Sequence, residues 1–200
     1  MQKEVTRSWP LFIGIGIMMI AHGLQMQLMG IRSVVEDFSV ITTGIFMAGY
    51  YIGYFSGSQT TPKLVQKVGH IRVFAAFASL ASLSALLAAV YVNPVMWTLS
   101  RIITGISMVS CYIVAESWLN DRATNKNRGQ LLSAYMIILY IGLGIGMLLL
   151  NVSDPKNYEP FILVSVLLSL ALVPILLTKR PTPKFKKIGT ISIKELYKID

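Results

Sequence analysis

Apolar residues in this chain gather into six long runs, approximately Pro10–Gly30, Val40–Gln59, Ile71–Val92, Val95–Leu119, Leu131–Val152 and Phe161–Thr178. A hydrocarbon core of about 30 Å takes roughly 20 residues at about 1.5 Å of helical rise each, and every run is near that length. The polar stretches between them are short: Arg32–Ser39, Thr60–His70, Asn93–Pro94, Asn120–Gln130 and Ser153–Pro160. They leave no room for a soluble catalytic domain. The pattern predicts an all-α, polytopic membrane bundle of six transmembrane helices over residues 1–180, sequential helices packing as antiparallel neighbours. A basic segment follows over 181–200, where Ser192 and Glu195 form a capping-box pattern that opens a further helix. That helix points to a chain interrupted within a longer protein.

Composition agrees with insertion in lipid: 54% of residues are hydrophobic and mean hydropathy is +0.62. The net charge of +9 would suggest a nucleic-acid partner in a soluble chain, but its distribution says otherwise. Fifteen of the eighteen Lys and Arg fall on one side if every run crosses, among them Lys3, Arg7, Lys63, Lys67, Arg72, Arg122, Lys126, Arg128 and seven after the sixth run. The other side receives Arg32 and Lys156 beside Glu36, Asp37, Asp154 and Glu159. Basic loops stay cytoplasmic during insertion, so both termini are expected in the cytoplasm, with lipid headgroups rather than nucleic acid as the partner of the basic tail. Trp9 and Trp97 fall at the predicted membrane interfaces, with Trp118 near the inner one. Cys111 is the single cysteine, which leaves neither a disulfide nor a cysteine-based metal site.

Two runs carry glycine at helical spacing: Gly49, Gly53 and Gly57 in the second, Gly142 and Gly146 in the fifth. Such stripes let helix backbones approach closely, and helix packing is the expected role here. Tyr50, Tyr51 and Tyr54 accompany the first stripe, either as packing groups or as part of a pathway. The two triplets of runs have opposite orientations, and both contain a glycine-spaced middle member, as a 3+3 inverted repeat would.

Ionisable groups inside a membrane cost about 2.5–3.5 kcal/mol at the centre and ask for an explanation. His22, with Gln25 on nearly the same face, lies past the middle of the first run. It reads either as one end of an interhelical hydrogen bond or as a titrating pathway group. In the fourth run Arg101, Met108, Tyr112 and Glu116 occupy an arc of about 80° at 100° per residue. Arg101 and Glu116 are about 22 Å apart along the axis, too far to pair. Arg101 either lines a polar cavity or snorkels outward; Glu116 either joins that cavity or braces the basic inner loop. Catalysis would need paired carboxylates, a His–Asp set or metal-ligand spacing, and the runs offer only His22, Arg101 and Glu116. No catalytic residue, cofactor or metal is assigned. A transporter is favoured over a non-transporting scaffold and, further back, over a membrane-embedded enzyme.

The residues resemble the amino-terminal six-helix half of the major facilitator superfamily. The superfamily's loop between helices 2 and 3 has a Gly-x-x-x-Asp-Arg-x-Gly pattern, and here the stretch is Pro62-Lys63-Leu64-Val65-Gln66-Lys67-Val68-Gly69-His70-Ile71-Arg72. Lys67 and Gly69 match in kind, whereas Pro62 stands for glycine and Gln66 for the acid. Arg101 and Gly105 match a helix-4 Arg-x-x-x-Gly pattern linked in the family with proton-coupled transport; the Gly-Pro signature of drug–proton antiporters is absent from Gly142–Gly146. A YcaD-like branch is similar through Gly69–Phe74, Ala115–Arg122 and Arg128–Leu132. The resemblance implies a bacterial inner-membrane protein with twelve helices, of which this chain holds six. It implies a cavity lined by helices 1 and 4, where Arg101, His22, Gln25, Tyr112 and Glu116 would form the path of a small-molecule substrate and of protons. Lys67, Gly69, Arg72, Asp121 and Arg128 would then sit in the cytoplasmic gate loops, and a missing carboxyl-terminal half would be the main partner.

Overall fold

The computed structural model describes residues 9–177. Lys3, Arg7, the basic tail and the Ser192–Glu195 capping pattern lie outside the described residues. Six long helices account for most of the rest: α1 Trp9–Val35, α2 Val40–Val68, α3 His70–Val90, α4 Pro94–Arg122, α5 Arg128–Leu149 and α6 Glu159–Leu176. A short 3₁₀ turn, Leu150–Val152, extends α5, and no strand occurs among the described residues. Five helices are long and apolar enough to cross a membrane; α2 is long enough but too polar by composition. Its Gly49, Gly53 and Gly57 lie against α4, and Thr61 Oγ1 is 2.6 Å from Ser110 Oγ of that helix.

The helices start and stop where local chemistry dictates. Ser39 caps α2 by accepting from the Thr42 amide at 3.1 Å, and Asn93 caps α4 by accepting from the Met96 amide at 2.9 Å, with Pro94 in the first turn. The predicted Thr60–His70 loop is instead helix as far as Val68, and the turn is Gly69 alone. Pro62 lies inside that helix. Hydroxyls tighten the helix around it: Thr60 donates to the Ser56 carbonyl at 3.1 Å and Thr61 to the Gly57 carbonyl at 2.7 Å. Gly69 turns the chain at φ 89°, ψ 163°, a backbone conformation open essentially to glycine alone. The loop expected at Asn120–Gln130 likewise shrinks to residues 123–127. The expected gate-loop residues Lys67, Arg72, Asp121 and Arg128 are therefore helix-end residues, and only Gly69 lies in a connection.

Pairing is mostly non-sequential, which corrects the expectation of sequential neighbours. α2 packs on α4, α1 on α5 and α6, and α3 on α4 and α6; among chain neighbours only α3 and α4 pack extensively. Glycines decide the two closest crossings. A Cβ on Gly53 would collide with the Ile102 carbonyl oxygen, and one on Gly105 with the Tyr50 carbonyl oxygen. On the other side of the bundle, a Cβ on Gly146 would strike the Ile20 carbonyl oxygen, and one on Gly23 the Leu143 carbonyl oxygen. The rest of each seam is nearly as tight: a Cβ on Gly49 would lie 3.1 Å from the Thr98 carbonyl oxygen, on Gly57 2.5 Å from Val109 Cγ1, and on Gly142 2.8 Å from Met19 Cβ. Lipid tails are as apolar as leucine, so shape complementarity of this kind, not chain proximity, selects partners in a membrane.

Polar contacts tie the helix ends together. At one end Arg32 donates to the carbonyls of Pro155, Lys156 and Asn157 and pairs with Glu36 at 2.5 Å. At the other, His70 Nε2 lies 3.0 Å from Ser117 Oγ, joining the start of α3 to the end of α4. Trp97, in the first turn of α4, points into the bundle: it is fully buried, its Nε1–H donates to the Ala88 carbonyl at 3.0 Å, and its ring meets Phe38 and Phe46 edge-on. Filling the gap between α2, α3 and α4 removes more apolar surface than an interfacial position would.

Candidate functional site

α1 and α4 do not pack backbone to backbone; α5 lies on α1 and α2 lies on α4, so polar side chains span the space between. Gln25 is 1% exposed and its Nε2 donates to Thr104 Oγ1 at 3.4 Å. Thr104 also meets Ser84 Oγ of α3 at 2.9 Å, and Ser100 donates to the Ser84 carbonyl at 2.5 Å. His22 is buried as well; its Nε2 lies 3.4 Å from the Tyr50 hydroxyl, and the two rings stack at 5.5 Å. The Tyr50 ring also meets the Arg101 guanidinium, which sits 4.8 Å from its centroid. Tyr50 therefore contacts both the histidine of α1 and the arginine of α4.

Arg101 is 2% exposed, so the guanidinium is held inside the bundle rather than carried outward on its stem. Its Nε and Nη1 have no hydrogen-bond partner, and neither do His22 Nδ1, Gln25 Oε1 or Ser107 Oγ. Buried polar groups are nearly always satisfied, and each unmet one costs roughly 1–3 kcal/mol. Four of these atoms belong to His22 and Gln25 of α1 and Arg101 of α4.

Along the same face of α4, Tyr112 donates to Met19 Sδ at 3.2 Å, and Glu116 accepts from the Tyr135 hydroxyl at 3.5 Å. Both line a cleft of about 250 Å³ between α1, α2, α4 and α5, together with Met19, Tyr54, Tyr135 and Tyr140. Arg101, His22 and Gln25 thus form one cluster and Tyr112 and Glu116 another, joined by one helix face. Lys67, Gly69, Arg72, Asp121 and Arg128 lie away from both, around the helix ends. Among the described residues no group of three His, Cys, Asp or Glu is placed to hold a metal ion.

Sequence reasoning passed over Thr104, Ser84 and Ser107, whose hydroxyls carry no signal that separates a network from ordinary helix packing. Tyr135 was findable: it stands seven residues before Gly142 and so on the seam face of α5.

Comparison with known proteins agrees with this architecture. The chain is 26% identical over 156 residues to the "Uncharacterized MFS-type transporter YcaD" of Escherichia fergusonii, a match covering 78% of this chain and 41% of the relative. The protein of the same name from Escherichia coli O6:K15:H31 is 26% identical over 166 residues, 82% of this chain and 43% of the relative. "Uncharacterized MFS-type transporter Ent638_1421" of Enterobacter sp. strain 638 is 27% identical over 146 residues, covering 72% and 38%. The chain spans about two fifths of the length of the curated relatives it matches. The sequence model of the Major Facilitator Superfamily matches residues 11–196, nearly the whole chain, and the protein is accordingly a multi-pass membrane protein that belongs to that superfamily.

Proposed function

We propose that this chain is one half of a secondary transporter that carries a small solute across a membrane by alternating access, coupled to protons. The observation that carries the reading is Arg101: a charged side chain kept inside a membrane bundle, at a cost of about 2.5–3.5 kcal/mol on insertion scales, with donors left unmet. A group so placed is retained for what it contacts during a cycle. With His22 and Gln25 opposite, α1 and α4 form the wall of a path, and a second six-helix half supplies the facing wall.

Further observations favour the same reading. The packing pattern maps onto itself when α1, α2 and α3 are exchanged for α4, α5 and α6: α2 on α4 becomes α5 on α1, and α3 on α4 becomes α6 on α1. The reciprocal glycine crossings exchange in the same way. This exchange supports a 3+3 inverted repeat within the half, and rocking of this half against the second exposes a midplane site to each side alternately. Lys63, Lys67, Arg72, Arg122, Lys126 and Arg128 cluster at the His70–Ser117 end, and the Arg32 end is the more acidic. The first end faces the cytoplasm by the positive-inside rule, in the bacterial inner membrane, with Lys67, Arg72, Asp121 and Arg128 as polar contacts of the inner gate. A scaffold would account for the glycine seams but not for the buried arginine.

The test is Arg101→Ala in the complete gene product, reconstituted in vesicles and assayed for flux of candidate solutes with and without a pH gradient. Flux falls to background in the variant while its yield and gel-filtration profile stay as in the wild type. Full retained flux would take Arg101 out of the path and the coupling argument with it.

A further inference from the structure

We propose that the cleft beside Glu116 binds a compact organic monocation, with the Glu116 carboxylate as counter-charge and tyrosines as its walls. The inference rests on the transporter reading above and names the class of solute that the site takes. Tyr54 of α2, Tyr112 of α4, and Tyr135 and Tyr140 of α5 converge on this space, with Met19 of α1 between them. Aromatic rings present negative faces, and groups of them hold quaternary ammonium ions. Thioether sulfur is polarizable and adapts to irregular apolar surfaces. Glu116 is the one charged residue of the lining.

Among the described residues, the polar contact at Glu116 is with a neutral group, Tyr135. The contact with Tyr135 spans 3.5 Å, at the limit of a hydrogen bond, and a neutral phenol cannot offset a carboxylate. Arg122 lies six residues on, and its guanidinium stacks on Trp118 at 5.3 Å from the ring. Arg101 is about 22 Å away along α4, too far to pair with Glu116. Arg101 is not part of the lining either, so an anion held there would occupy a different place. At about 250 Å³ the cleft is at the small end of ligand sites, which favours a cation near the size of one substituted ring.

The test uses the complete gene product and radiolabelled benzyltrimethylammonium as probe. Its competitors are neopentylbenzene, in which carbon replaces the charged nitrogen at equal shape, and phenylacetate, which reverses the charge. Saturable binding is expected, competed by the unlabelled cation and by neither of the others. Glu116→Gln weakens it about tenfold or more, whereas Glu116→Asp, which keeps the charge, retains most of it. Should Glu116→Gln fail to fold, Tyr140→Leu, at a largely exposed residue, weakens binding without touching the bundle interior. No saturable binding, equal competition by either analogue, or wild-type affinity in Glu116→Gln overturns the proposal. Uptake separates it from the reading beneath it. Vesicles that accumulate phenylacetate but not the cation leave a transporter and sink the cation site. A protein that binds the cation with Glu116 dependence yet moves no solute keeps the site and sinks the transporter.

Discussion

Gly146 and Gly144 stand two residues apart on α5 and meet opposite surroundings. A Cβ on Gly146 would collide with the Ile20 carbonyl oxygen and lie 2.8 Å from the Leu24 amide nitrogen and 2.9 Å from the Ile20 carbonyl carbon; a Cβ on Gly144 would meet nothing within 4 Å. All three atoms facing Gly146 are backbone, so no rotamer change relieves the clash and α1 must retreat by about 1 Å. A gap of about 0.5–1 Å already forfeits a quarter to a half of each dispersion contact along the seam, and in lipid those contacts are the main attraction between helices. Overpacking of this kind costs about 1–3 kcal/mol. Gly146→Ala should therefore destabilise by that amount. Gly144→Ala should be neutral or stabilising by up to about 1 kcal/mol, because alanine is the better helix former. Cys111, the chain's single cysteine, is buried with its thiol against the Phe74 carbonyl and reports unfolding directly. The rate at which a thiol-reactive dye labels it during a temperature ramp in detergent gives an earlier transition for Gly146→Ala and an unchanged or later one for Gly144→Ala. Equal transitions would refute the claim that backbone contact at Gly146 sets the α1–α5 crossing.

The same labelling assay reads two further changes. Gly69→Ala lowers stability by about 1–3 kcal/mol although a Cβ there meets nothing within 4 Å, because the penalty comes from φ 89° and not from crowding; a neutral result would mean that the turn relaxes to another conformation. Arg32→Ala costs about 1 kcal/mol, reduced by solvent screening, by releasing the carbonyls of Pro155 and Asn157, and Arg32→Lys recovers only part of it since an ammonium cannot fork across several acceptors. Full rescue by lysine would show that charge alone holds the loop.

How far the candidate site could be read in advance differs residue by residue. Arg101, His22, Gln25 and Glu116 stood out because a polar group in an apolar run is expensive, and that expense is visible in one dimension. The faces of Arg101, Tyr112 and Glu116 followed from helical geometry. Tyr50 was ambiguous: a tyrosine beside a glycine stripe can pack or line a path, and only its contacts with His22 and Arg101 give it a role. Trp97 was ambiguous for the same reason, since a tryptophan near a helix start suits both an outward anchor and the buried gap it fills.

By itself the sequence determined the six long apolar runs that become helices, the end that collects positive charge, and the faces on which glycine permits close approach. Each follows from local hydropathy, charge or spacing, properties that a short segment carries wherever its neighbours lie. Only the tertiary structure decided that α2 takes α4 and α5 takes α1, that Pro62 lies inside a helix, and that tyrosines from three helices converge on Glu116. Those outcomes depend on shape matching between segments remote in the chain, where a tenth of a nanometre between two backbones chooses one partner over another.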